Sequence, residues 1–153
     1  MKELIWKIKT FDELSTKELY DVLKIRQEVF IVEQTCYYLD ADGYDEMAVH
    51  IWAEREGNVL AYCRIFDLGI KYHEASIGRV LTHPDHRKLR LGKILVKLAL
   101  STIESRFRTN EVRISAQDYL LAFYSEFGFV ETGKKYLEDY IPHTEMLKSH
   151  QPI

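Results

Sequence analysis

Three cations stand just before a glycine in the middle of the chain, an arrangement suited to binding phosphate. Arg87, Lys88 and Arg90 follow an apolar, β-branched run, and Gly92 opens an amphipathic helix. The first turn of a helix presents unpaired N–H groups and the positive end of the helix dipole, and glycine lets a ligand approach the backbone. The spacing is neither GxxxxGK[ST] nor GxGxxG, so by itself the pattern also fits an ordinary basic connection.

Tyr124 is a second residue able to take part in chemistry. It lies in the stretch ISAQDYLLAFYSEFGF, on an apolar stripe with Leu120, Leu121 and Phe127. A tyrosine in such a position is either a core residue with a satisfied hydroxyl or a proton donor facing a site. The pattern alone leaves both readings open.

Charge is unevenly distributed along a chain whose net charge is −3. Seven carboxylates and no Lys or Arg lie between Gln27 and Glu54, whereas the segment from His86 to Lys97 carries five cations and no acid. The acidic segment would steer a cationic ligand and the basic one would suit a polyanion, while a solvated face is the plain alternative for each. The overall balance argues against a strongly basic nucleic-acid binder, so no nucleic-acid partner is expected.

The histidines and aspartates of the chain do not predict a metal site. His83 and His86 are three residues apart but follow a strand instead of sharing one face of a helix. Asp40, Asp42 and Asp45 lack the glycine and glutamate spacing of an EF-hand loop. We therefore expect no metal.

The elements that must position these residues follow from hydrophobic periodicity, which predicts the order β-α-β-β-β-α-β-α-β-β in a mixed sheet. Strands are predicted over 4–8, 47–54, 59–66, 75–82, 111–116, 129–132 and 140–147, and helices after Ser15, over 91–106 and over 117–127. Ser15 and Glu18 predict a capping box. Arg26 falls on the apolar stripe of the first helix, so it either snorkels to solvent or points at a site. Thr35 to Asp45 is typical of a loop.

Composition predicts one folded domain over residues 1–153. Hydrophobic residues make up 46% of the chain, with only 7 Gly and 3 Pro. No run free of Asp, Glu, Lys and Arg is longer than seven residues, against ~20 for a membrane span, so no membrane partner is expected. The start, MKELIWKIKT, lacks the apolar core of a signal peptide, which predicts a cytoplasmic protein. Cys36 and Cys63 form no CxxC pair and are expected to be reduced, structural thiols.

Several motifs taken together resemble the GNAT superfamily of N-acetyltransferases. A GRV strand, a loop of the form Arg-x-x-x-x-Gly entering a helix, and the AFYSEFGF helix and strand occur in that order. More narrowly, the stretches RQEVFIVEQ, YLDADGYD, HIWA, AYCRIF, IGRV and EDYIPHTEM resemble the ElaA-like group over nearly the whole chain. The resemblance implies an α/β (α+β) fold with a mixed, mostly antiparallel sheet of six to seven strands and helices on both faces.

The same resemblance implies acetyl-coenzyme A as co-substrate and direct acetyl transfer to a primary amine. The superfamily loop reads Gln/Arg-x-x-Gly-x-Gly/Ala; Arg87 and Gly92 match its ends, and Arg90 replaces its first glycine, as a basic residue does in the ElaA-like group. The implied cofactor-binding residues are Val80, Leu81, Thr82, Arg87, Lys88, Leu89, Arg90, Leu91, Gly92, Lys93 and Tyr124.

The chemistry of acyl transfer gives the implied residues their roles. Tyr124 matches the tyrosine that protonates the departing thiolate, and a strand N–H near Leu81 would stabilise the tetrahedral oxyanion. Glu33, His50 and His143 are open candidates for the general base, and Tyr124, Leu81 and Glu33 form the predicted catalytic set. The predicted substrate-binding residues are Arg26, His50, Arg64, Arg79 and His143.

Several alternatives remain open at this point. The three arginines predicted to bind substrate would either recognise an anionic group on the acceptor or form internal ion pairs. Tyr37 and Tyr140 stand where the family usually has proline and glycine, so acceptor preference does not transfer; the amine belongs to a small molecule or a peptide. A non-catalytic acyl-coenzyme A binding or regulatory module is the main functional alternative, and a general nucleotide binder is another. The oligomeric state is not set by the sequence, and a homodimer stays open.

Overall fold

The computed structural model describes residues 3–149, so the first two and the last four residues of the predicted domain lie outside it. Its strands are β1 (Ile5–Thr10), β2 (Val49–Arg55), β3 (Asn58–Phe66), β4 (Ala75–Thr82), β5 (Val112–Gln117), β6 (Val130–Glu138) and β7 (Ile141–Lys148). Its α-helices are α1 (Thr16–Arg26), α2 (Leu91–Phe107) and α3 (Leu121–Ser125). This is the predicted order of elements. Within the described range no helix is long and apolar enough to cross a membrane.

One mixed sheet of seven strands organises the fold, in the order β1-β2-β3-β4-β5-β7-β6. β4 and β5 run parallel, and all other neighbouring strands are antiparallel. The parallel pair is joined only at Ala75–Val112 and Ser76–Arg113. Beyond Ser76 the two strands separate, and the edge of β4 that faces β5 has no strand partner among the described residues. The sheet confirms the predicted fold class.

Successive residues of a strand point to opposite faces of the sheet. Each face here packs against its own hydrophobic core. Ile51 and Cys63 belong to the larger core, which includes the apolar stripe of α2. Trp52 and Tyr62 belong to a second core with Val22 of α1. The helices therefore lie on both faces, as expected.

The first helix begins as predicted but does not end as a regular α-helix. Ser15 Oγ accepts a hydrogen bond from the Glu18 amide at 3.1 Å, and the Glu18 carboxylate accepts one from the Ser15 amide at 2.9 Å, which confirms the capping box. After Arg26 the chain continues as a π-helical segment over Gln27–Glu33. π-Helical segments are rare in proteins, and those that occur often lie at functional sites. The hydrophobic spacing did not indicate this one.

The predicted helix over 117–127 and the predicted strand over 129–132 have the wrong lengths. Gln117 still belongs to β5 because it pairs with His143 on β7. Asp118 starts a 3-10 turn, held by a hydrogen bond of 2.6 Å from Thr144 Oγ1 to its carboxylate, so α3 begins only at Leu121. β6 extends to Glu138 because it pairs with β7 along most of its length.

Candidate active site

A cavity of about 720 Å³ opens where β4 and β5 separate. One wall is the free edge of β4 with the start of α2, and the other is formed by β5, α3 and the β6–β7 turn. Of the predicted cofactor-binding residues, those that line the cavity are Val80, Leu81, Thr82, Arg87, Arg90, Leu91, Gly92, Lys93 and Tyr124. Lys88 and Leu89 do not line it. The topology thus brings two predicted stretches, more than thirty residues apart in sequence, to one cleft.

The start of α2 is shaped to receive a ligand at its backbone. Arg90 takes a left-handed conformation (φ 55°, ψ 36°) before the helix, and no side chain caps the first turn. The first amides of the helix are therefore open to an anion. A Cβ on Gly92 would lie 3.6 Å from Phe123 Cζ and 3.8 Å from Thr82 Cγ2. A side chain at this position would fill the gap between the helix start, β4 and α3.

Tyr124 presents a neutral phenol to the cavity. Its ring packs edge-on against Phe123 and Phe129, with centroid distances of 5.2 and 5.9 Å. Burial raises the pKa of the hydroxyl, so it stays protonated at neutral pH. Within residues 3–149 the hydroxyl has no hydrogen-bond partner. The ring belongs to the core, whereas the satisfied hydroxyl of the core reading is not found among the described residues.

β4 carries a bulge where it borders the cavity. Tyr62 of β3 pairs with Leu81, whereas Arg64 pairs with Gly78, so Arg79 and Val80 stand opposite a single residue. Arg79 takes a positive φ of 51°. A bulge interrupts the ladder and re-aims side chains, and here it frees backbone groups of β4 beside Leu81.

Two of the three candidate bases are engaged elsewhere. His50 is fully buried and does not line the cavity; its Nδ1 lies 2.7 Å from the Tyr62 hydroxyl and its Nε2 lies 2.9 Å from the Asp45 carbonyl. Burial lowers the pKa of His50. Glu33 also lies off the cavity wall, where Arg87 binds both of its carboxylate oxygens at 3.0 and 2.5 Å.

His143 is the candidate base that lines the cavity. Its Nδ1 lies 2.8 Å from the carbonyl oxygen of Ile141, which can only accept a hydrogen bond, so Nδ1 carries the proton. Nε2 then holds the lone pair, and it lies 3.3 Å from the Glu138 carboxylate, which also lines the cavity.

Six residues form a network that we call the arginine–aspartate cluster: Arg26, Arg64, Arg79, Asp40, Asp42 and Asp45. Arg26 is fully buried and binds Asp40 at 2.9 Å and Asp45 at 2.7 Å. It neither snorkels nor lines the cavity; instead it forms the internal ion pairs that the sequence left open as the alternative. Arg64 and Arg79 do line the cavity, although they are paired with carboxylates of the same cluster.

The cluster holds two of its carboxylates, Asp42 and Asp45, ionised. Burial alone would raise the pKa of Asp45, but hydrogen bonds and charge from Arg26 and Arg64 outweigh it and hold the pKa below its usual value. The pKa of Asp42 is lowered in the same way, against the effect of burial. With Glu33, which Arg87 binds, four of the seven carboxylates of the acidic segment are compensated by arginines, so they do not supply the free negative field expected for steering.

The two histidines near the basic loop contact each other through their Nδ1 atoms at 3.4 Å. Among residues 3–149, no three His, Cys, Asp or Glu side chains converge in the way a metal ion requires.

The sequence missed much of the cavity on the side away from the basic loop. The unpredicted residues of this acceptor side include Phe30, Tyr38, Phe66, Lys71, Tyr72, Ser115 and Glu138. Phe30 and Tyr38 fall in motifs that carry the resemblance, which is the signal that could have found them. Lys71 lies in a connection without periodicity, and nothing local marks it.

The chain as a whole is similar to known proteins in sequence and in structure. Residues 17–150 match the family described as Acetyltransferase (GNAT) domain. The chain belongs to the GNAT family. This GNAT chain resembles the crystal structure of an acyl-CoA N-acyltransferase from Pseudomonas aeruginosa, with 39% identity, a TM-score of 0.89 and coverage of 95% of this chain and 99% of that one. It resembles Escherichia coli ElaA equally in structure (TM-score 0.89, 33% identity, covering 96% and 100%).

A curated relative extends the same match. A UPF0039 protein of Synechocystis sp. is 36% identical over 95% of each chain. The resemblance to the GNAT superfamily and its ElaA-like group is thereby confirmed. The fold is that of an acyltransferase.

Proposed function

We propose that the protein transfers an acetyl group from acetyl-coenzyme A directly to a primary amine. The observation that carries this proposal is the cavity between β4 and β5, where the free edge of β4, the uncapped start of α2 and Tyr124 meet. Membership of the GNAT family supports the acyl transfer. The acetyl group and the amine acceptor are the proposed part.

The binding of the co-substrate follows from the backbone of the cleft. The first amides of α2 and the side chains of Arg87 and Arg90 suit a pyrophosphate. The unpaired edge of β4 suits an extended amide-bearing arm, which would add to the sheet as another strand does. The missing side chain of Gly92 keeps the approach open.

The transfer itself needs three groups of the chain. His143 Nε2 accepts the proton of the attacking amine, directly or through water, 3.3 Å from the Glu138 carboxylate. An N–H of β4 near Leu81 donates to the oxyanion as the tetrahedral intermediate forms. Tyr124 donates its proton or a hydrogen bond to the departing thiolate. No covalent intermediate on the enzyme is required, so neither cysteine needs to act as a nucleophile.

The choice of His143 departs from the predicted catalytic set, which contained Glu33. Glu33 is bound by Arg87 away from the cavity wall, and His50 is closed off by two hydrogen bonds. Of the three candidates, His143 is the one that lines the cavity.

The proposal is tested by a screen of primary amines with acetyl-coenzyme A, which follows the release of free thiol. Wild type is compared with Tyr124→Phe and with the matched control Tyr20→Phe, which changes a tyrosine 68% exposed on α1. We expect Tyr124→Phe to lower kcat by about 100-fold, within the range for loss of general acid catalysis, with an unchanged Kd for acetyl-coenzyme A. Tyr20→Phe should match wild type.

Two outcomes would overturn the proposal. Tight binding of acetyl-coenzyme A without acceptor-dependent thiol release would favour the non-catalytic acyl-coenzyme A module. Stabilisation in a thermal melt by ATP as well as by acetyl-coenzyme A would favour a general nucleotide binder.

A further inference from the structure

The acceptor side of the cavity presents N–H groups that no carboxylate or carbonyl of the described chain satisfies. Arg79 donates to Asp40 and Asp42 through Nε and Nη2, and no group within residues 3–149 accepts from its Nη1. Arg64 uses Nη1 and Nη2 for Asp42 and Asp45, whereas its buried Nε has no partner. A buried guanidinium N–H without an acceptor is unusual and calls for an explanation.

Two further residues of the same wall fit this picture. Lys71 lies with Nζ 4.0 Å from the centroid of the Tyr44 ring, and no carboxylate of the described residues comes within ion-pair distance of it. Gly78 lines the cavity beside Arg64, and a Cβ there would lie 3.9 Å from Arg64 Nε. No side chain therefore stands on the strand between the cavity and this guanidinium.

The charges of this wall do not balance. The arginine–aspartate cluster contains three cations and three carboxylates, and Lys71 adds a fourth cation. Among the cavity-lining residues of β3, β4 and their connection, Lys71 is the cation without a carboxylate within ion-pair distance in the described part of the chain, while Glu138 acts on it from across the cavity. His143 and Glu138 stand on the wall formed by the other strands. A ligand with an anionic end and an amine end matches both walls.

We infer that the amine acceptor carries a carboxylate, which binds at Lys71 Nζ and Arg79 Nη1 while the amine reaches Leu81 and His143. This inference rests on the proposed function. Arg79 stands two residues before Leu81 with the bulge between them, so its guanidinium and the N–H beside Leu81 are separate positions along the cavity edge of β4. The acceptor is therefore an aminocarboxylate with several methylene groups between its two ends, and the arginine reading that the sequence left open holds for Arg79 but not for Arg26.

The inference is tested first with acceptors that differ in one group. ε-Aminocaproate and ε-aminocaproamide have the same length and the same primary amine but differ in the negative charge. With acetyl-coenzyme A we expect kcat/KM for the acid to exceed that for the amide by about tenfold or more, mainly through KM. Glycine, whose amine and carboxylate share one carbon, should be the poorest acceptor. Equal values for acid and amide would overturn the inference.

Variants then assign the preference to the wall. Lys71→Gln should reduce the acid-over-amide ratio by about fivefold, and Arg79→Gln should reduce it further. Arg79→Lys keeps the charge and should restore part of the ratio. Lys97→Gln removes an exposed lysine of α2 that does not line the cavity, so its ratio should equal that of wild type. Since Lys71 is exposed, its replacement keeps the test valid even if the Arg79 variants fail to fold.

A binding measurement separates this inference from the proposed function. Isothermal titration with ε-acetamidocaproate and with its amide needs no catalysis. A preference for the acid that persists without thiol release from any amine would overturn acetyl transfer and support the carboxylate site. Acetylation of amines with no preference for the acid over the amide in either assay would support acetyl transfer and overturn the carboxylate site.

Discussion

Two arginine–carboxylate regions border the cleft, and they differ in how far water reaches them. In the arginine–aspartate cluster, Arg26 is fully buried and Arg64 is 2% exposed. At the basic loop, the side chains of Arg87 and Glu33 are 49% and 33% exposed. The buried network ties the loop after α1 to β3 and β4, and its partners cannot be exchanged without leaving a charge in the interior. The exposed pair is weak, so a phosphate can replace the carboxylate at Arg87.

The largest effect is expected from a substitution that disrupts the buried arginine–aspartate cluster. Arg26→Met leaves Asp40 and Asp45 without one of their cations, and loss of one buried partner costs about 3–5 kcal/mol of unfolding free energy. Urea denaturation measures it. Lys17→Met is the control on the same helix; it removes an exposed pair with Asp21, for which we expect a loss of about 0.3–0.5 kcal/mol. Similar losses for the two variants would mean that burial does not distinguish the regions.

The second prediction uses pH to weaken the same cluster. The pKa values of Asp42 and Asp45 are lowered in the folded protein, so their contribution is complete above the unfolded value of ~3.9. It is lost as the pH falls below that value towards the folded pKa. Urea unfolding between about pH 6 and pH 3 should show falling stability, with a flatter profile for Asp42→Asn. An equally flat profile for Asp12→Asn, an exposed aspartate, would contradict this account.

The third prediction concerns the exposed pair of Arg87 and Glu33. Glu33→Gln removes the carboxylate that competes with phosphate for Arg87, so binding of acetyl-coenzyme A should tighten by about 1.5- to 5-fold, the equivalent of an exposed pair worth ~0.2–1 kcal/mol. Isothermal titration calorimetry at two salt concentrations checks this, and the gain should shrink in high salt. Weaker binding by the variant would instead mean that Glu33 orients Arg87 for its ligand.

The smallest effect is expected at a second exposed pair, Lys93 with Glu126, whose side chains are 54% and 57% exposed. Glu126→Gln should change the unfolding free energy by less than about 0.5 kcal/mol. A larger change in unfolding free energy would be detected by both thermal and urea unfolding. A loss comparable to that of Arg26→Met would remove the distinction between buried and exposed pairs.

Sequence reasoning found those parts of the molecule that depend on neighbouring residues. The capping box of Ser15 and Glu18 is a local pattern, and the β2–β3 hairpin follows from two apolar runs on either side of Glu56 and Gly57. Both turn residues have positive φ, 53° and 79°, as a tight hairpin turn requires. The basic loop and the helix after it were found for the same reason.

Pairings between distant residues were beyond the reach of periodicity. Arg87 and Glu33 are separated by 54 positions, and the partners of Arg26 lie in a loop without regular structure. The candidate bases could be named but not ranked, since His50 and His143 differ only in what surrounds them once folded. β6 was predicted too short because its charged residues do not show the alternation by which a strand is recognised, although an edge strand tolerates charge.

The separation of β4 from β5 has a consequence for the motions of the protein. Outside the bulge at Arg79 and Val80, the amides of β4 point either towards β3 or towards the cleft, so along Ile77 to Thr82 those facing the cleft should exchange faster than those paired with β3 while the cleft holds only water. A ligand arm lying along that edge would slow the fast set and spare the other. Hydrogen exchange of the cleft-facing amides of β4 would thus report whether the cleft is occupied, and the amides that face β3 would serve as the internal reference.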